Sequence, residues 1–280
     1  MNKPQKPLFM RTPLVSYAVL GIWSILVLVP LWVMVINSFK PRLSIYASPL
    51  GFPEEWTLEG YRLIFTGSSF PLYFLNSLLV VGVSIVFILV CAAAAAYAIA
   101  NWQVTLTRVV ALFFLAGLMI PIRIGSVNLL QIAKALNLLD KAVGLIPVYV
   151  AMGMPLGVFV LTEFVRGVPR DLLHAAQIDG ASRARIFWQI ILPLTRPAMA
   201  TVAIFNLVNL WNDLWFPLIF IRSENQRTLM LGITRLFGQY QTDWTRILST
   251  LTLASVPIIL LYLLMAKQFI RGLTAGAIKG

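Results

Sequence analysis

Six apolar runs, each about as long as a bilayer is thick, govern what this 280-residue chain can fold into. They fall at about residues 14–37, 72–100, 109–130, 143–165, 198–221 and 247–269. A helix crosses the hydrocarbon with roughly 20 apolar residues, and backbone groups left unpaired in lipid are costly. None of the runs alternates apolar and polar residues as a barrel strand would. The expected fold class is all-α: a polytopic membrane protein of six transmembrane helices. The charged fraction, 11%, agrees, since soluble domains carry about 25%. Neither an internal repeat nor a low-complexity linker divides the chain. Residues 1–280 therefore read as a single membrane domain.

The first run follows Lys3, Lys6 and Arg11, as a signal peptide would. It is too long for that, lacks a small-residue cleavage site, and ends Asn37-Ser38-Phe39-Lys40, so it reads as a retained helix. The net charge of +12 comes from Lys and Arg scattered between the runs, as membrane-flanking residues are, which speaks against nucleic acid. The single cysteine, Cys91, excludes an internal disulfide and reads as a small packing residue in the Ala-rich second run. A slight excess of Lys and Arg on one set of connections places the N- and C-termini in the cytoplasm.

Residues 169–197 cannot lie in lipid. They carry four arginines and join the fourth and fifth runs on the expected cytoplasmic side. Asp171 is placed to cap a short helix on which Leu172, Ala175 and Ala176 share a face, and Gly180 suits its left-handed end. Ser182 is placed to cap a second helix with a stripe of Ile186, Phe187, Ile190, Ile191 and Leu194. Pro193 and Pro197 should break the chain before the fifth run. One reading is an amphipathic connector on the lipid surface. The other is a docking surface, since two alanines beside one leucine allow a partner to approach closely.

Ala175-Ala176-Gln177-Ile178-Asp179-Gly180-Ala181, with Phe187 and Leu192-Pro193 after it, resembles the EAA motif of ABC-importer permeases. The whole chain is similar to the carbohydrate (maltose-permease-like) branch. Further matches are Asn37-Ser38-Phe39-Lys40, Asn76-Ser77, Trp211-Asn212-Asp213, Tyr240-Gln241-Thr242-Asp243-Trp244 and the terminal Gly272–Gly280 run. The resemblance implies that 169–197 is a coupling helix docking on a separate ATPase, with contacts from His174, Ala175, Ala176, Asp179, Gly180, Ala181 and Phe187. His174 departs from the pattern: the family has a glutamate there, and a histidine is neutral or cationic near pH 7. The tail, Gly276 and Lys279, is implied to touch the same ATPases. The implied partners are a second permease forming a heterodimer, two ATP-binding-cassette ATPase subunits and an extracytoplasmic sugar-binding protein. The lipid bilayer would be a bacterial or archaeal cytoplasmic (inner) membrane. This chain would bind no cofactor and be no enzyme, with ATP and Mg on the ATPases; it lacks the G-x-x-x-x-G-K-[ST] loop.

Asn206, Asn209 and Asp213 share one face of the fifth run, with Trp211, Asn212 and Trp215 nearby. Polar side chains at membrane depth face the bundle interior or a wet cavity. The seam fits a substrate pathway, with hydrogen-bonding groups and aromatic faces for a sugar. It fits interhelical packing equally well. Residues 51–69, with Glu54, Glu55, Trp56 and Glu59, are too polar to span, and the resemblance implies that such external loops meet a binding protein. The function expected is half of a translocation pathway for a sugar, working by alternating access. Its rivals are a permease for a phosphorylated polyol, for which Arg123 is the available cation, and an ion-coupled carrier, for which Asp213 is the candidate acid. An intramembrane enzyme lacks a catalytic constellation.

Overall fold

The computed structural model describes residues 13–67, 69–102, 104–236 and 243–277, and every regular element among them is helical. The long helices are α1 (Pro13–Asn37), α4 (Phe70–Asn101), α7 (Leu145–Arg166) and α14 (Trp244–Ala277). Between them lie α2 (Arg42–Ala47), α3 (Glu59–Gly67), α5 (Thr105–Met119) and α6 (Ser126–Ala135). Then come α8 (Arg170–Ile178), α9 (Arg183–Ile186), α10 (Leu192–Leu194), α11 (Arg196–Trp211), α12 (Trp215–Phe220) and α13 (Leu229–Ile233).

Four stretches within these elements are long and apolar enough to cross a bilayer: Leu14–Asn37, Phe70–Asn101, Ala142–Arg166 and Trp244–Gln268. The third run is not a continuous helix. It turns by 91° at Ile120-Pro121, between Thr105–Met119 and Ile122–Ala135, where proline removes an amide donor. The fifth run is α11 and α12 with a break at Asn212–Leu214, and Arg183–Leu194 meets α11 at 71°. Counting each bent pair as one span gives up to six. The α1 helix is the plainest case for a lipid surround: Leu14, Ile22, Trp23 and Leu26 are all at least 60% exposed, which water would not tolerate over such an apolar length.

Two compact units divide the chain, Met1–Ser68 with Leu236–Leu253, and Ser69–Arg235 with Ala254–Gly280. In the first, the chain leaving α1 is knotted by buried polar groups. Asn37 donates to the Val33 and Pro49 carbonyls at 2.7 Å each, the Ser38 and Tyr61 hydroxyls meet at 2.6 Å, and Lys40 donates to the Ser48 carbonyl at 2.5 Å. Burial pushes the Lys40 ammonium below the usual lysine range. The polar 51–69 stretch contains α3, packed so closely on the start of α14 that a Cβ on Gly60 would lie 2.3 Å from the Ser249 hydroxyl.

The second unit is centred on α4, α7 and α11. Ala92, Ala93 and Ala96 of α4 are at most 1% exposed, and a Cβ on Gly157 of α7 would sit 3.0 Å from that of Ala92. Small residues let the backbones approach, as lipid-embedded helix pairs require. Cys91, expected among these packing residues, is instead exposed; it lies one position before Ala92, on the outward side of the same turn.

The connection before α7 is clasped to the loop after α12. Asn137 (φ +55°) ends α6 in a Schellman turn, its amide bonded to Lys134 and that of Leu138 to Ala133. Asp140 accepts from the Arg222 and Ser223 amides at 2.8 and 2.6 Å and from the Ser223 hydroxyl. That hydroxyl foremost, then the two amides, hold the Asp140 carboxyl below the usual carboxylate range, against the opposing effect of burial. A carboxyl depressed on folding stabilises above its unfolded value, about 3.9, and that contribution is lost as pH falls through the folded value. Amide exchange at Arg222 and Ser223 should therefore speed up relative to that at Val158 as pH falls below about 4. Asp140→Asn should abolish the difference; unchanged relative protection in the native protein at low pH would refute the clasp.

Candidate functional site

Two places combine exposure with built geometry: the 169–197 loop, and a polar cavity beside α11.

In the loop, Pro169 precedes α8 and its fixed φ starts the helix. Asp171, expected as the cap, lies two positions past the capping residue, Pro169, and makes no cap hydrogen bond; it falls in the first turn, where its charge complements the helix dipole. The C-terminus is a full Schellman motif: the Ala181 amide bonds to the Ala176 carbonyl at 2.9 Å, the Gly180 amide to Gln177 at 3.0 Å, and Gly180 has φ +77°. Ser182 caps α9, its hydroxyl accepting from the Arg185 amide at 3.2 Å.

The face of α8 turned inward carries Leu173, 8% exposed. Leu172 (48% exposed) and Ile178 (85%) face outward with His174, Ala175, Gln177, Asp179 and Gly180, while Ala176 and Ala181 are half-buried. Phe187 is buried and leans on Tyr97 of α4, ring centroids 5.8 Å apart. It anchors the loop rather than presenting itself to a partner. Ile186 and Ile191 are also buried, whereas Leu194 at the end of the expected stripe is exposed. From Phe187 to Ile191 the helix widens to a π turn just before Leu192-Pro193, a register that accommodates a proline inside a helical segment. Gly276 lies in α14, and Lys279 lies outside the described residues, as do Tyr240, Gln241 and Thr242.

The cavity holds about 390 Å³ and is lined by Arg123, Met152, Leu156, Asn206, Asn209, Asn212 and Asp213, with Val208 and Leu210. Asn209 and Asn212 are exposed; Asn206 is buried and donates to the Val202 carbonyl at 2.9 Å. Asp213 occupies the break between α11 and α12. It accepts from the Tyr149 hydroxyl at 3.0 Å and from the Trp215 and Phe216 amides at 3.2 Å each, so one carboxyl both starts α12 and ties it to α7. Trp211 lies away from the cavity: it is buried, donates to the Ala254 carbonyl at 3.0 Å and meets Phe74 edge-on at 5.7 Å. Trp215 is partly exposed; its indole donates to the Ser126 hydroxyl at 2.8 Å, and the Arg123 guanidinium stands 5.9 Å from its ring. Sequence reasoning missed Tyr149. The signal was the line Tyr149, Met152, Gly153, Leu156, one helical face on α7.

Residues 8–275 match the family described as binding-protein-dependent transport system inner membrane component. The chain is 32% identical to a diacetylchitobiose uptake system permease protein of Streptomyces coelicolor, over 96% of this chain and 90% of that one. It is 30% identical to the arabinooligosaccharides transport system permease protein of Bacillus subtilis, covering 92% of each. Among solved structures it resembles a bacterial ABC transporter involved in the import of alginate, with a TM-score of 0.80 at 17% identity, over 96% of this chain and 100% of that one. At that identity the likeness speaks for the fold.

Proposed function

Because the chain belongs to the family of binding-protein-dependent transport system inner membrane components, we propose that it is one membrane-spanning half of an ATP-binding-cassette importer for an oligosaccharide or sugar derivative. The observation that carries this is the exposed face of α8, a rigidly terminated helix that presents Leu172, Ala175 and Ile178 outward while Leu173 and Phe187 hold it to the membrane helices. Such a surface can take up a push from another subunit and pass it on. The chain is a single membrane domain with six spans and both termini in the cytoplasm of a bacterium or archaeon. A second permease completes the pathway, two ATPase subunits bind ATP and Mg, and an external binding protein delivers the solute. Closure of the ATPases moves α8 and switches access from one side to the other. This chain itself catalyses no reaction.

The sugar assignment draws on the permeases for diacetylchitobiose and arabinooligosaccharides to which the chain is similar. The cavity supports it, offering amide groups at Asn209 and Asn212, with the Trp215 ring standing beside Arg123 of its wall. Arg123 on the cavity wall favours a second reading, a phosphorylated polyol. Vesicles carrying the complete transporter should take up labelled oligosaccharide, not glycerol phosphate, and only with ATP. Uptake by the chain alone without ATP would point to an ion-coupled carrier.

Coupling has its own test. In a Cys91→Ser background, needed because Cys91 is exposed, a cysteine replacing Ala176 should crosslink to an ATPase subunit in at least one nucleotide state. No crosslink in any state would sink the docking assignment.

A further inference from the structure

Three neighbouring hollows in the second unit share Ile99 and Arg166. One is an apolar groove of about 180 Å³ between α5 and α7, walled by Leu112, Leu115, Val158 and Phe159. At its end a hollow of about 230 Å³ is lined by Trp102, Thr107, Arg108 and Arg166. The third, about 250 Å³, adds Arg170 and Asn101. Among the described lining residues the only carboxylate is Glu163, which pairs with Arg166 at 2.7 Å. Three arginines against one glutamate leave the mouth of the groove cationic. Arg183 lies over the Trp102 ring at 5.3 Å and adds to that charge from the next element. Trp102 stands at the end of an apolar helix, where an indole suits the boundary between lipid and water.

We propose that this groove is a binding site for an anionic phospholipid, with an acyl chain along Leu112, Leu115 and Phe159 and the phosphate between Arg108 and Arg166. The occupant follows from the joining of two features. An apolar groove alone would take any lipid tail, and an arginine cluster alone would take any anion. A phosphate carried on a hydrocarbon chain satisfies both, and basic pockets beside membrane helices recognise anionic headgroups in this way. The site is separate from the α11 cavity and independent of which solute is carried. Its occupancy would brace α5 against α7 just above α8, where movement of the loop enters the membrane.

The test is native mass spectrometry of the full-length chain released from nanodiscs of equimolar phosphatidylglycerol and phosphatidylcholine. The protein should retain phosphatidylglycerol preferentially. Arg108→Gln with Arg166→Gln should weaken retention by about thirty-fold, about five-fold per arginine, while Arg222→Gln should not. Leu115→Trp, which keeps every charge and fills the groove, should also lose the lipid, so a folding failure of the double variant does not decide the matter. Glu163→Gln should hold the lipid as well as the native protein or better. Equal retention of the two lipids, or retention unaffected by both the double variant and Leu115→Trp, would overturn the site. So would arginine variants that keep the lipid and, when co-expressed with the ATPase subunits, no longer copurify with them, since the cluster would then serve a protein partner.

Discussion

Gly153→Val is expected to leave no folded protein to purify. The Cβ of any residue at 153 would stand 2.3 Å from both Asn206 Oδ1 and Ile88 Cδ1 and 3.0 Å from Asn206 Cγ. Both atoms end side chains that would have to swing out of their packed positions. Ile88 is fully buried in α4, and Asn206 is 4% exposed with its amide tied to the Val202 carbonyl. Even one added methyl in a close-packed interior costs about 1–3 kcal/mol, and valine adds two carbons more at the point where α4, α7 and α11 meet. Gly153→Ala should therefore melt several degrees lower in detergent, and Gly153→Val should not yield a monodisperse peak. Gly82→Ala on the exposed side of α4, where nothing lies within 4 Å, should match the native protein. Gly153→Ala with Ile88→Val should recover part of the loss, because the second change deletes the colliding Cδ1 at the cost of a single methyl. A native-like melting curve for Gly153→Val would mean that these three helices do not form the core.

That crowded crossing also shows where the sequence was readable and where it was not. Runs of about 20 apolar residues located α1, α4, α7 and α14 to within a few residues, apart from the C-terminal continuation of α14, because in lipid the backbone has few alternatives to a helix. Gly180 was readable for a local reason: a left-handed residue after a short helix favours glycine whatever surrounds it. Pro121 and Arg123 mark an interruption of the third run, by a kink or a helix end, but hydropathy averaged over a window cannot give the 91° turn made there. The break at Asn212–Leu214 was hidden similarly, within a run whose composition still reads as a span.

In the loop, the α8 pattern gave the helix and the outward side of Leu172 and Ala175, but not Leu173, whose burial is decided only by the packing of the loop on the membrane helices. At the cavity, the asparagines and Asp213 were visible as polar residues in an apolar run. Trp211 looked equivalent to them but turns into the protein to reach Ala254. Tyr149 lies 64 positions from Asp213 and could not be paired with it by spacing.

Asp213→Ala should be the most damaging substitution on the cavity wall, because it leaves three donors without an acceptor. The Tyr149 hydroxyl is almost fully buried, and the Trp215 and Phe216 amides open α12 beside it. An unsatisfied buried donor costs about 1–3 kcal/mol. The three share one acceptor and will not add simply, so a loss of about 3 kcal/mol or more is expected in a denaturation series. Tyr149→Phe removes one donor together with its bond and should cost only about 1 kcal/mol.

Asp213→Asn separates scaffolding from transport. The Trp215 and Phe216 amides bond different oxygens of Asp213, so an asparagine oxygen turned toward Phe216 and Tyr149 keeps those two donors and gives up only the one from Trp215, and stability should fall by about 1 kcal/mol. If Asp213 also bonds a hydroxyl of the passing solute, this variant will fold and assemble but import at a tenth of the native rate or less, the loss expected for about 1.4 kcal/mol. Asn209→Ala and Asn212→Ala, whose side chains are exposed on the cavity wall, should lower uptake without moving the melting temperature. Normal import by all three variants would leave Asp213 as the peg that holds α12 to α7 and would move the solute's path elsewhere in the transporter.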